Sequence, residues 1–470
     1  MSNLKQQKLA LAVVVASVFL GACSDNKEDA KAQTNGPNKD PFPSTYQAVK
    51  SKPVVITNVT ILDGIGNKIE EGDILLENGI ITELGNSVSA PRDAIKIDGT
   101  GKWVTPGIID NHSHLGVYPS PSTRSHSDGN EMTAPVTAEV WAEHSIWPQD
   151  PGFQRALAGG VTSLQILPGS ANLFGGRSVV VKNLPNRTIQ DMKFPEAPYG
   201  IKMACGENPK RVYGSKGGPM TRMANVAGYR AAWIDAQEYQ QKWATYNSEL
   251  DAGGSPKAPK RDLNLETLAG VLDGEILVHM HCYRADEMVV MMDVMKEFNY
   301  QIGTFHHAVE AYKIADKLAE NNVCSAMWAD WYGFKMEAYD GIRENAPMVH
   351  AANACAIIHS DSDIGIQRLN QEAAKAWSDG QRAGIDISQA DAWQWLSANP
   401  AKSLGIFDQT GSLEEGKNAD VVLWSADPFS TYSQAEKVFI DGALVYDRTD
   451  PESWPVSDFE LGQIAAGDAK

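Results

Sequence analysis

Residues 104–114 read Val104-Thr105-Pro106-Gly107-Ile108-Ile109-Asp110-Asn111-His112-Ser113-His114. An apolar, strand-like run ends in two histidines separated by one residue. Side chains alternate faces along a strand, so His112 and His114 point the same way and can share one metal ion. Neutral imidazole is the commonest protein ligand for zinc and similar divalent ions. A lone pair of this kind is as often packing as chemistry; what lies downstream decides between the two.

Three more apolar runs end in metal-capable residues. Gly274-Glu275-Ile276-Leu277-Val278-His279-Met280-His281-Cys282-Tyr283-Arg284-Ala285-Asp286 carries two histidines on one face, and spacing does not choose between them. In Ile302-Gly303-Thr304-Phe305-His306-His307-Ala308-Val309-Glu310 the adjacent histidines face opposite ways, so only one points inward. Ala356-Ile357-Ile358-His359-Ser360-Asp361 runs into a carboxylate. Any one of these histidines alone is a core residue more often than a ligand. Four such runs in series match a (β/α) barrel, which places its active site at the C-terminal ends of its strands. Histidine and aspartate together suit Zn²⁺ or another first-row divalent ion at a site with an open coordination position.

Around this region the pattern changes. Short β-type runs separated by turn residues cover 54–62, 74–76, 80–84 and 94–97, and return at 419–424, 438–440 and 443–446. Between about residues 105 and 398, strand-like and helix-like segments alternate, as in a parallel β/α architecture. Within 229–250, Trp243, Tyr246 and Leu250 fall at helical spacing, and 251–260 is a Gly/Pro/Lys-rich surface loop. The expected fold is α/β: a (β/α)8 TIM-like barrel (105–398) beside a small β-sandwich built from both chain ends (51–104 and 399–450).

The chain has 470 residues, 43% hydrophobic and 21% charged, ordinary for a globular protein with ample core. Its formal charge of −18 argues against nucleic acid or anionic lipid as a partner. Lys5 and Lys8 precede an apolar stretch over 9–22, too short for a typical membrane span. It ends in Leu20-Gly21-Ala22-Cys23, which resembles a bacterial lipobox with Cys23 as the lipidated first residue after cleavage of 1–22. Polar residues 23–50 read as a flexible tether and 451–470 as a tail. The expected location is an exported lipoprotein facing the periplasm on the outer membrane, touching the membrane through lipid alone. The remaining Cys205, Cys282, Cys324 and Cys355 lie in apolar segments with no framework spacing, so buried free thiols are expected.

Beyond these readings, the chain resembles the amidohydrolase superfamily, in the branch with imidazolonepropionase-like and prolidase-like enzymes. Residues 105–114 resemble that family's first-strand PGxIDxHxH motif, and 157–167 (LAGGVTSLQIL) its GVTT segment. Asn399-Pro400-Ala401, Leu404-Gly405 and 411–423 (GSLEEGKNADVVL) resemble its return into the β-domain. The stretch 281–287 (HCYRADE) is similar to HAHRADD, which implies His281 over His279 as the ligand; 305–311 (FHHAVEA) is similar to EHATEA, which implies His307. Asp361 falls at the family's last-strand aspartate, implied to be both ligand and proton shuttle. Residues 200–206 resemble the prolidase-like strand whose lysine is carboxylated and bridges two metals, which implies Lys202, while Glu207 offers an alternative carboxylate.

What the resemblance implies is a hydrolase cleaving a C–N bond in an amide, peptide-like or cyclic amide, with one or two Zn²⁺ or similar ions per chain. The alternatives are a mononuclear imidazolonepropionase-like ring opener or deaminase, and a non-catalytic surface lipoprotein. Arg284 stands where the deaminases carry a glutamate, and that departure argues against nucleobase deamination. It is a candidate partner for a substrate carboxylate, or else for Asp286 or Glu287. Tyr283 is a candidate substrate contact, Trp328 and Trp331 are candidate pocket walls, and Arg177, Lys182, Lys210 and Arg211 are candidate anion readers. The partner expected is a small molecule, with homo-oligomerisation left open.

Overall fold

The computed structural model describes residues 40–453 apart from Pro121. The expected signal segment, Cys23, most of the tether and the tail beyond 453 lie outside them. Among the described residues, no helix is long and apolar enough to cross a membrane.

The β-domain contains β1 (Val54–Leu62), β2 (Lys68–Glu77), β3 (Ile80–Gly85), β4 (Ile95–Asp98) and β5 (Trp103–Pro106). The barrel follows: β6 (Ile108–Ser113), β7 (Val161–Ile166), β8 (Phe174–Lys182), β9 (Gly200–Ala204), β10 (Leu277–Cys282), β11 (Ile302–His307), β12 (Cys324–Met327) and β13 (Ala356–Ile358). The chain returns to the β-domain with β14 (Val421–Trp424), β15 (Ala435–Ile440) and β16 (Ala443–Asp447).

Pairing of β14 with β5 welds the two ends of the chain into one sheet, ordered β16-β15-β14-β5-β1-β2-β3, with β4 branching from β1. The sandwich is thus continuous in its hydrogen bonding. Its strands surround a core that includes Ile56, Val59, Ile61, Ile74, Val104, Val421 and Phe439. Pro106-Gly107 hands the chain from this sheet to the barrel. A Cβ on Gly107 would collide with Thr162, so only glycine lets β6 start against β7.

The barrel sheet runs β13 to β6 in reverse chain order. Its strands are buried on both faces, the reason they read as apolar runs rather than alternating ones. Parallel pairing holds except at β8, which is antiparallel to both β7 and β9. Only residues 167–173 separate β7 from β8, enough for a reversal but too few for a crossover helix. The first and last strands are joined just beyond β13: the Asp361 amide donates to the His112 carbonyl at 3.1 Å, and Ser360 donates to Asp110.

The cysteine expectation is overturned. Cys205 is joined to Cys282 and Cys324 to Cys355. Each pair lies on adjacent barrel elements, with Cα atoms 5.2 and 4.5 Å apart, close to the spacing of neighbouring strands. Separations of 77 and 31 residues along the chain hide that neighbourhood.

Residues 40–46, expected to belong to the flexible tether, are instead docked. Asp40 pairs with Lys193 at 2.5 Å, Phe42 packs edge-on to Trp141, and the Thr45 amide donates to the Gln190 carbonyl.

Candidate metal centre

At the C-terminal end of the barrel, β6 delivers His112 and His114 to one face with their Nε2 atoms 3.4 Å apart. Asp361 Oδ1 lies 3.4 Å from the first and 3.2 Å from the second. His307 Nδ1 is 3.9 Å from Asp361 Oδ2. Nδ1 of His114 donates to the Leu167 carbonyl at 2.8 Å, which leaves Nε2 as a lone pair turned to Asp361.

The backbone here is unusual. His307, Ala308 and Asp361 have φ of 73°, 39° and 50°, left-handed values that non-glycine residues adopt at a cost of about 1–3 kcal/mol each. For Asp361 the conformation is held by its amide bond to His112. It swings the carboxylate from the end of β13 back over β6.

Electrostatics favour a cation. Burial holds His112, His281 and His307 well below the ordinary histidine range, so each presents a neutral ring with a lone pair. Burial pushes the Asp361 carboxyl up, but the histidines around it, His114, His307 and His359, outweigh it and keep the group a carboxylate. Nδ1 of His307 is buried with no hydrogen-bond partner among the described residues. A site of closely spaced N and O donors, some left unpaired, fits a divalent ion of the zinc type.

His281 sits beside this group, its ring centroid 4.6 Å from that of His307, and the Asn208 amide is 3.4 Å from its Nε2. Lys202 is wholly buried in the same wall and donates to the Pro168 carbonyl at 3.2 Å. Burial lowers its ammonium to about 8. Glu207 is instead drawn to Lys335, at 3.4 Å, and is not gathered with the histidines. Tyr283 and Trp328 stack on His307, at 5.1 and 4.4 Å, and form an aromatic wall. Trp331 stacks on Trp328 and is 45% exposed at the rim.

The cationic candidates are mostly used elsewhere. Arg284 is bound to Asp286 at 3.0 Å. Arg177 is buried, donates to Thr267 and lies over Trp141. Lys182 is buried against Asp441 and Asp420, where it joins barrel to β-domain. Arg211 reaches Asn208.

Two residues of the site escaped the sequence reading. His359 lies within reach of both His112 and His307, wholly buried, and neither ring nitrogen has a partner among the described residues. Its signal was its place two residues before Asp361 at the end of the same strand. Asp110, buried in the middle of β6 and raised to about 7 by that burial, accepts from Ser360 and so holds the turn that carries Asp361. A carboxylate inside an apolar strand was the available signal.

The fold and this cluster define an α/β barrel whose His/Asp face could hold a metal ion. A model described as the amidohydrolase family matches residues 273–445. The solved structure of an amidohydrolase from Thermotoga maritima MSB8 is 35% identical, covers 84% of this chain and 100% of its own, and superposes with a TM-score of 0.76. Amidohydrolase tasK of Hapsidospora irregularis is 33% identical over 427 residues, 86% of this chain, which spans only 43% of that protein's length. A 5-methylthioadenosine/S-adenosylhomocysteine deaminase of Symbiobacterium thermophilum is 23% identical over 407 residues, 80% of this chain and 85% of its own. The chain belongs to the amidohydrolase family, whose members are typically metal-dependent.

Proposed function

We propose that this chain hydrolyses a C–N bond in a small amide, peptide-like or cyclic amide molecule, using a divalent ion held by His112, His114, His281, His307 and Asp361. One observation carries the reading: Nε2 of His112, Nε2 of His114 and Oδ1 of Asp361 converge within 3.4 Å of one another. A divalent ion held there supplies Lewis acidity, polarising the scissile carbonyl and easing deprotonation of water. Asp361, kept as a carboxylate, accepts the proton of the attacking water and returns it to the leaving nitrogen. Tyr283 and Trp328 exclude bulk water from the His307 side and orient the substrate.

Lys202 bears on the number of ions. As a carboxylated side chain it would bridge a second ion, the arrangement suited to dipeptide-like substrates. As a plain amine it donates to the Pro168 carbonyl, and it then goes with the second reading, a single-ion ring opener or deaminase. Export as a lipoprotein acylated at Cys23 goes with this proposal, and the two disulfides support an oxidising compartment.

The test is metal content per chain by elemental mass spectrometry, on protein beginning after Cys23, followed by a hydrolysis panel of dipeptides, N-acyl amino acids, cyclic amides and imidazolones. One or two ions with turnover of any member supports the proposal. No ion after reconstitution with Zn²⁺ overturns it.

A further inference from the structure

His279 and His306 are buried histidines that the proposed ligand set does not use, yet they are not idle in the core. His306 Nδ1 lies 2.8 Å from Nδ1 of His112, and its Nε2 lies 3.0 Å from Nδ1 of His279. Both are hydrogen-bonding distances, so each contact holds one hydrogen between a donor nitrogen and a lone pair. His306 shares both contacts. The hydrogen positions on the three rings are therefore not independent.

Nε2 of His112 is the atom turned to His114 and Asp361. Once a cation occupies its lone pair, the hydrogen of that ring must be on Nδ1. Nδ1 then donates to His306, whose own Nδ1 must be bare. His306 accordingly carries its hydrogen on Nε2 and donates to His279 Nδ1. His279 ends the series with its hydrogen on Nε2, which is buried without a partner among the described residues. With neutral rings and Nε2 of His112 given to a cation, no other arrangement puts a hydrogen in each contact.

The series is also fixed in space. β10 and β11 are neighbours that bring the His279 and His306 rings to a centroid distance of 5.2 Å, and the His279 ring lies against Gly200, where a Cβ would sit 2.7 Å from its Cδ2. His114 shows the contrast. Its Nδ1 meets a backbone carbonyl, which can only accept. His306 can accept or donate at its Nδ1. Donation there would place the His112 hydrogen on Nε2 and block ligation.

We propose that His306, backed by His279, is the positioning residue for the metal ligand His112, holding its ring in the Nδ1–H form so that Nε2 is offered to a divalent cation. This rests on the reading of His112 as a ligand given above.

The test has two parts, both on the folded, zinc-loaded protein beginning after Cys23. Long-range ¹H–¹⁵N correlation spectra of histidine-labelled protein read the tautomers directly. The expected result is hydrogen on Nδ1 of His112 and on Nε2 of both His306 and His279. Hydrogen on Nδ1 of His306 overturns the proposal. Competition with a chromophoric chelator then reads zinc affinity. His306→Leu should weaken binding on the order of 10–100-fold. His306→Asn, whose amide oxygen can stand where Nδ1 stood, should recover most of the loss. Equal affinity for wild type and His306→Leu overturns the inference while leaving the metal reading intact. A wild-type protein that binds no zinc overturns both. Should the leucine variant not fold, the tautomer spectra of the unsubstituted protein decide.

Discussion

The amide of Asp361 donates to the carbonyl of His112 at 3.1 Å, so one backbone bond joins the last barrel strand to the first and sets the carboxylate against the His112/His114 pair. Barrel closure and assembly of the candidate centre are one event. A conservative change at Asp361 should therefore separate chemistry from folding. Asparagine tolerates the left-handed backbone and keeps the amide. Asp361→Asn should retain the circular dichroism spectrum and most of the bound metal while kcat/KM falls about 10²–10⁴-fold. Activity near wild type would remove Asp361 from its role.

Lys202 makes a prediction about stability and pH. Its folded value of about 8 is below the unfolded value near 10.5, so between these limits the unfolded chain holds a proton that the native protein has lost. Native stability then rises with pH across that window, and below pH 8 burial of the ammonium carries its full cost, about 3 kcal/mol. Lys202→Met should raise the Tm of metal-free protein at pH 7, with the advantage shrinking toward pH 10.5. Calorimetry across that range checks it, and a lower Tm for the variant at pH 7 would contradict it.

Acid should destabilise the metal-free protein for the same reason, at lower pH. His112, His279, His281, His306, His307, His350 and His359 are all depressed by burial, His279 and His359 to about 3. Above about pH 6.5 these groups are neutral in both states; below it the unfolded chain takes up protons that the native protein refuses. Stability is thus lost as pH falls from 6.5 toward the folded values. The Tm of chelator-treated protein should drop steeply between pH 7 and 5, and a flat profile there would refute the assignment.

The Cys205–Cys282 bridge couples redox state to the same face. Cys282 follows His281 directly, and the Cys205 amide donates to the His281 carbonyl at 2.9 Å. The double change Cys205→Ser with Cys282→Ser should cost about 2–4 kcal/mol of stability and weaken zinc retention. Denaturant unfolding and chelator competition measure the two effects. An unchanged zinc affinity would confine the bridge to a stabilising role.

Local chemistry in the sequence was enough for the barrel and for much of its centre. Strands buried on both faces must be apolar along their length, so the runs ending at His112, His281, His307 and Asp361 stand out against turns and helices. The shared face of His112 and His114 follows from strand geometry alone. Other features depend on which elements become neighbours, and no local pattern encodes that. The two disulfides arise because adjacent barrel strands lie about 5 Å apart, however distant their cysteines are in the chain. The reversal at β8 follows from how few residues separate it from β7, a distinction that apolar periodicity does not register. Arg284 was drawn to Asp286, Glu207 to Lys335, and residues 40–46 onto the barrel by partners that only folding brings within reach. His306 is the clearest instance: in the sequence it is the histidine beside a ligand, and in the folded protein it sets where the hydrogen of His112 must be.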